Sequence, residues 1–142
     1  MKIIDIINSG KPSLSFEVFP PKTSDKYESV SNAVREIANL SPSYMSVTYG
    51  AGGGTSKYTA QISRELSSYG VTSLAHLTCI SSSKDEVRAQ LATLKEIGIE
   101  NILALRGDLP EGIDKGYLSF RYAYQLIDEI KDCGEYCIGG AC

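Results

Sequence analysis

The sequence predicts an α/β fold built on a parallel sheet. Strand-like segments recur about every 30 residues along the chain, which has 142 residues. Between them lie helical segments whose apolar residues are spaced three to four apart. Strands that alternate with helices are typical of βαβ units, in which the strands run parallel. The length is sufficient for one core, so we interpret residues 1–142 as a single domain.

Each element has its own sequence signal. A leading helix over residues 2–8 carries four isoleucines and ends before Gly10 and Pro12. The first strand ends at two prolines, Pro20 and Pro21, which cannot continue a strand ladder. The predicted strands span 13–19, 44–50, 72–80, 101–107 and 136–142, and the helices between them span 25–40, 56–69, 84–97 and 119–132.

Two architectures fit this order: a doubly wound open sheet and a (β/α)8 barrel. A full barrel takes about 250 residues, and the five strands and four connecting helices predicted here make a little over half of one. The chain also ends on a strand, where a covering helix should follow, which favours a partial barrel. A five-stranded open sheet is nevertheless viable, and the spacing alone does not choose between the two.

The composition limits the classes of partner. The net charge of -3 and the pI of about 5.2 provide no basic field for nucleic acid. No apolar run approaches the length of a membrane span, and the N-terminus is too short and too polar for a signal peptide. We therefore expect a cytoplasmic protein that contacts neither nucleic acid nor membrane.

Cysteine and histidine usage argues against a metal site. Cys133, Cys137 and Cys142 are spaced C-x3-C-x4-C, which matches neither zinc nor iron–sulfur spacing. With one histidine in the chain, a His-rich metal site cannot be built. We expect no metal, and we interpret the cysteines, Cys79 included, as reduced thiols.

Glu17 is the first candidate for chemistry. It lies in the segment SLSFEVFPPKT, near the carboxyl end of a strand that reads as buried. A buried carboxylate is costly unless it is used, and in a βα barrel the carboxyl ends of the strands carry the chemistry. The alternative is an exposed glutamate, or one paired with a lysine such as Lys22.

Other polar and Gly-rich residues also follow strands. Because the carboxyl ends of parallel strands share one rim, we expect these residues to converge there. The segment GAGGGT fits neither the dinucleotide fingerprint nor a P-loop, and a plain turn is its alternative. The alternatives for the others are a hydrogen-bonded histidine and a surface ion pair. The residues are Thr48, Tyr49, Gly50 and Ala51 at the end of the second strand, His76, Thr78 and Cys79 at the end of the third, and Arg106, Gly107 and Asp108 at the end of the fourth.

Four motifs, FEVFPPKT, VTYGAGGGTS, HLTCI and ALRGDLP, occur in this order, each at a strand end. Together they resemble the flavin-dependent methylenetetrahydrofolate reductases over essentially the whole chain. The resemblance implies the (β/α)8 TIM barrel, with FAD at the carboxyl ends of the strands. It also implies an oxidoreductase of one-carbon metabolism and methionine biosynthesis. NADH or NADPH would reduce 5,10-methylenetetrahydrofolate to 5-methyltetrahydrofolate by hydride transfer through the flavin.

The resemblance also implies roles for individual residues. Glu17 matches the catalytic acid, which protonates the bridging amine of the folate. The other matched positions contact the flavin or the nicotinamide, and the match of the last two is made through a YA pair after the fourth loop. These cofactor-binding positions are Thr48, Tyr49, Ala51, His76, Arg106, Gly107, Asp108, Tyr122 and Ala123.

The chain departs from the family pattern at its end. In the family the fifth strand leads into a Y-P-E segment, whereas this chain stops at Cys142. We therefore expect the N-terminal portion of a barrel, which would form a homo-oligomer or pair with the missing half because its apolar faces and sheet edges are open. The alternative function is a truncated half-barrel fragment or structural module without independent catalytic activity.

Overall fold

One parallel sheet organises the structure, a computed structural model that describes residues 1–49, 56–109 and 118–141. Its five strands pair in sequence order, and every neighbouring pair is parallel. The strands are β1 (Ser15–Val18), β2 (Tyr44–Val47), β3 (Ser73–Thr78), β4 (Asn101–Leu105) and β5 (Cys137–Gly140). The helices are α1 (Ile3–Asn8), α2 (Tyr27–Ala38), α3 (Ser56–Ser68), α4 (Lys84–Glu96) and α5 (Ala123–Cys133), and a 3₁₀ turn, Ser24–Lys26, precedes α2.

The core lies between the sheet and helices α2 to α5. Alternate strand residues, most of them apolar, point to the helices, because successive side chains of a strand alternate between its faces. One apolar cluster joins β1 and β2 to α2 and α3, and the other joins β3 and β4 to α4 and α5. Val18, Val47, Ala75 and Ile102 form one row across the sheet within these clusters.

This arrangement decides between the two predicted architectures. A doubly wound sheet reverses its strand order and carries helices on both faces. Here the strand order follows the sequence, and α2 to α5 pack against the same face. The sheet is therefore wound in one direction, as in the wall of a barrel. Among the described residues, none of the helices has both the length and the apolar character needed to cross a bilayer.

The element boundaries agree with the prediction except at some ends. Helix α4 begins at Lys84 as predicted, where Ser83 Oγ accepts a hydrogen bond from Glu86 N at 3.2 Å. Helix α5 begins at Ala123 instead of residue 119, because the Gln125 side chain accepts bonds from the backbone N–H groups of Arg121 and Tyr122 at 2.6 and 3.1 Å and caps the helix there. The predicted end of the fifth strand at Cys142 lies outside the described residues.

Asn101 fixes the leading helix to the amino-terminal end of the sheet. Its Oδ1 atom accepts a hydrogen bond from Ile3 N at 2.8 Å, and its Nδ2 atom donates to Met1 O at 3.0 Å and to Ser73 O at 3.3 Å. The residue is 2% exposed, so these buried polar groups satisfy one another. One side chain thus joins α1, β3 and β4.

Two carboxylates join neighbouring helices on the outer side. Glu129 on α5 contacts Arg88 Nε at 2.5 Å and Lys84 Nζ at 3.5 Å on α4. Burial acts to raise the pKa of Glu129, but the hydrogen bonds and charges of Arg88 and Lys84 together outweigh it and lower that pKa. On α3, the carboxylate of Glu65 accepts hydrogen bonds from the hydroxyl groups of Tyr27, Ser31 and Tyr69.

We predict that Asn101→Ala lowers the free energy of unfolding by about 1–3 kcal/mol, because buried backbone groups such as Ile3 N–H lose their partner. Urea unfolding followed by circular dichroism measures the change. Asn39→Ala is the matched control, since Asn39 is exposed at the end of α2, and we expect it to change stability by less than about 0.5 kcal/mol. Equal losses in the two variants would contradict the anchoring role of Asn101.

Candidate functional site

Glu17, Ser46 and His76 meet on the sheet face opposite helices α2 to α5. Glu17 and Ser46 are register partners on β1 and β2, and Ser46 Oγ donates a hydrogen bond to Glu17 Oε2 at 3.1 Å. His76 on β3 places its Nε2 atom 3.5 Å from the same oxygen. The side chain of Glu17 is 46% exposed, so its carboxyl group can reach a ligand from solvent.

His76 is buried and holds an unused nitrogen. The residue is 8% exposed, and among the described residues its Nε2 atom has no hydrogen-bond partner. Its separation from Glu17 Oε2 exceeds an ordinary hydrogen-bond length. Burial lowers the pKa of His76, since it disfavours the imidazolium form, and the negative charge of Glu17 opposes that shift in part. A neutral imidazole with a free nitrogen is suited to a polar ligand group.

A second group of site residues lines a cavity of about 390 Å³ beside the carboxyl ends of β3 and β4. Two arginines at the cavity provide positive charge, and the backbone holds one of them in place: Arg106 O accepts hydrogen bonds from Cys79 N at 3.2 Å and Ile80 N at 2.8 Å. Burial raises the pKa of Cys79 to about 11, so its thiol remains protonated. The cavity is lined by Ile80, Arg106, Leu109, Leu118, Arg121 and Tyr122.

Gly107 allows the side chains of Thr78 and Ile80 to pack close to the backbone at the carboxyl ends of β3 and β4. Its φ is +83°, a conformation that other residues rarely adopt. A Cβ atom there would lie 3.1 Å from Thr78 Cβ and 3.3 Å from Ile80 Cγ2, closer than ordinary van der Waals contact, so a larger residue would require these side chains to move. Asp108 follows it with an exposed side chain.

The remaining predicted residues that the structure describes lie near the end of β2 and at the start of α5. Thr48 extends β2, with its N–H donating to Val18 O at 3.0 Å and its carbonyl accepting from Thr59 Oγ1 at 3.0 Å. Tyr49 packs against the core cluster of β3 to α5, and its hydroxyl accepts a bond from Gln90 Nε2 at 2.7 Å. Its ring is thus on the helix side, away from Glu17. Tyr122 and Ala123 lie at the start of α5, and Ala51 lies outside the described residues.

Sequence reasoning missed two polar residues of this region. Ser46 is buried on β2 between Met45 and Val47, and a hydroxyl residue between two apolar residues of a predicted strand was the available signal. Arg121 shares the rim cavity with Arg106, and its position beside Tyr122 in the sequence was the signal.

The fold and these groups define a barrel-type α/β protein with an acid and a neutral histidine on the sheet face opposite the helices, and with a cationic rim at the carboxyl ends of β3 and β4. The chain matches the family model of methylenetetrahydrofolate reductase over residues 2–142. It therefore belongs to the methylenetetrahydrofolate reductase family, as its ordered motifs predict.

Individual relatives agree with this assignment. The 5,10-methylenetetrahydrofolate reductase of Pectobacterium carotovorum is 37% identical over 133 residues, which cover 93% of this chain and 44% of that protein. Methylenetetrahydrofolate reductase (NADH) 1 of Arabidopsis thaliana is 37% identical over 145 residues, which cover 96% of this chain and 24% of that protein. The chain thus spans less than half the length of these curated relatives.

A solved structure supports the fold. HMG-CoA lyase from Brucella melitensis, a TIM barrel, superposes with a TM-score of 0.55 at 16% sequence identity, over 88% of this chain and 47% of that one. This likeness concerns the fold alone, and it confirms the predicted partial barrel over the predicted open sheet.

We predict that Glu17→Gln lowers the pKa of His76 further, because the charge that partly opposes the effect of burial is removed. A titration of the imidazole signals by NMR measures it, and the assignment is unambiguous because the chain has one histidine. Glu28→Gln, in the first turn of α2, is the control and should leave the His76 titration unchanged. An unchanged titration in Glu17→Gln would show that the two groups do not interact in solution.

Proposed function

We propose that this chain provides the flavin-binding and proton-donating residues of a reductase that converts 5,10-methylenetetrahydrofolate to 5-methyltetrahydrofolate with NADH or NADPH. The observation that carries the proposal is the carboxyl group of Glu17, held by Ser46 beside a buried neutral His76 at the open face of the sheet. Family membership supports the reaction class.

The residues present fit FAD. Arg106 and Arg121 offer cations for a pyrophosphate, and His76 Nε2 is a buried polar atom without a partner among the described residues. Gly107, packed against Thr78 and Ile80 at a positive φ, sets the course of the backbone at this cavity. When bound, FAD supplies hydride transfer between the nicotinamide and the folate. The proposed contacts are Thr48, Tyr49, Ala51, His76, Arg106, Gly107, Asp108, Tyr122 and Ala123, with Tyr49 acting through its backbone.

Glu17 acts as the general acid in this proposal. It donates a proton to the bridging amine of the methylene group, the carbon–nitrogen bond to that amine breaks, and the resulting iminium becomes the hydride acceptor. The half-exposed carboxyl group can then regain a proton from solvent. The neutral state of His76 leaves the acid without a full cationic partner.

The proposal includes a cytoplasmic location and pairing of the sheet edges. Within the described residues, β1 and β5 each have one neighbouring strand, so each presents an open row of backbone groups. A second copy of the chain, or another part of a longer reductase, would cover them.

We predict that the chain retains about one flavin per chain after incubation with FAD and desalting, as measured by visible absorbance. Gly107→Ala should lose the flavin, because the side chain meets Thr78 and the backbone is strained. Gly98→Ala is the matched control: its φ of +77° imposes similar strain, but no atom lies within 4 Å of the added carbon. Retention by Gly107→Ala would remove this rim from the proposed site, and no retention by the unaltered chain would favour the non-catalytic module.

We predict that Glu17→Gln retains the flavin and oxidises NADH or NADPH with an artificial acceptor, yet reduces the folate at least about 100-fold more slowly, because the proton donor is lost. Stopped-flow absorbance of the flavin separates these two half-reactions. Glu36→Gln, exposed on α2, is the control. A Glu17→Gln variant with an unchanged rate of folate reduction would show that Glu17 is not the acid.

A further inference from the structure

We propose that Ser46 is a positioning residue for Glu17. Its hydroxyl group holds the Oε2 atom of the carboxyl group, so that the other oxygen, Oε1, carries the proton to the substrate. This inference rests on the proposed role of Glu17 as the acid.

Ser46 is rigidly placed for this task. It is 9% exposed and lies on β2 between two strands, with Glu17 as its register partner on β1 and Leu74 as its partner on β3. Its neighbours along the strand, Met45 and Val47, are fully buried in the core. The hydroxyl group therefore presents a fixed donor to Glu17 Oε2 at 3.1 Å.

Glu17 needs such a partner because its side chain makes no other hydrogen bond among the described residues. It is 46% exposed, and a glutamate side chain has several rotatable bonds. Among the described residues, Ser46 is its hydrogen-bond donor, and His76 remains 3.5 Å away. No described residue donates to Oε1. Ser46 thus distinguishes the two oxygens of the carboxyl group.

The hydrogen bond is compatible with both states of the acid. A carboxylate accepts the serine hydroxyl at Oε2, and a carboxylic acid protonated at Oε1 still accepts it there, because Oε2 is then the carbonyl oxygen. The contact can therefore persist before and after proton transfer. The proton is then carried on Oε1, the oxygen to which no residue in the described part of the chain donates.

The order of the Glu17 side chain tests this contact without any cofactor. We expect ¹³C relaxation of the Glu17 methylene groups to show increased motion in Ser46→Ala, and Ser46→Thr, which keeps the hydroxyl, to restore the order. Ser73→Ala is the matched control, since Ser73 is also a buried strand serine, 4% exposed, and its Oγ has no partner among the described residues. Equal order of Glu17 in Ser46→Ala and in the unaltered chain would overturn the proposal.

The flavin-loaded protein supplies the second readout. We expect folate reduction to slow by about 10- to 100-fold in Ser46→Ala, as for a misplaced catalytic group, with oxidation of NADH or NADPH unchanged and the rate recovered in Ser46→Thr. An unchanged rate in Ser46→Ala, beside a lost rate in Glu17→Gln, would overturn the role of Ser46 alone. An unchanged rate in Glu17→Gln would instead overturn the proposed acid, and the relaxation data would still decide whether Ser46 orders its side chain.

Discussion

The packing of α2 to α5 against the same face of the sheet is the constraint on which the other features depend. It is set by one apolar row, in which Val18, Val47, Ala75 and Ile102 are register partners. Because strand side chains alternate, a strand that gives every second residue to the helices must give the others to the opposite face. The polar residues of that face can thus form a site without disturbing the core.

The register across that opposite face also has the slant of a barrel. The row that begins with Glu17, the third residue of β1, continues through Ser46 and Leu74 and reaches Asn101, the first residue of β4. A row that shifts from late in one strand to early in another is the stagger that barrel closure requires. It explains how one row of partners includes both the candidate acid and the residue that anchors the leading helix.

The order of strands and helices could be predicted from the sequence, because the spacing of apolar residues differs between the two kinds of element. The motifs also mark the strand ends, which is why Glu17 and His76 could be predicted as site residues from the sequence. The face of the sheet to which each side chain points is harder to predict from the sequence. Thr48 and Tyr49 were grouped by motif, yet adjacent strand-end residues face opposite ways, and the ring of Tyr49 packs with the helices. The hydrogen bond of Ser46 depends on pairing between strands, which a single sequence does not display.

The charged groups of the candidate site lie in two separate places. Burial lowers the pKa of His76, so the imidazole 3.5 Å from the candidate acid is neutral and does not hold Glu17 in a full ion pair. The cations, Arg106 and Arg121, line the cavity beside the end of β4 and the start of α5. A paired arginine would favour the carboxylate form of an acid, whereas a serine hydroxyl accommodates both forms. An acid that must gain and lose a proton is therefore better placed on β1, beside a hydroxyl group, than at the cationic rim.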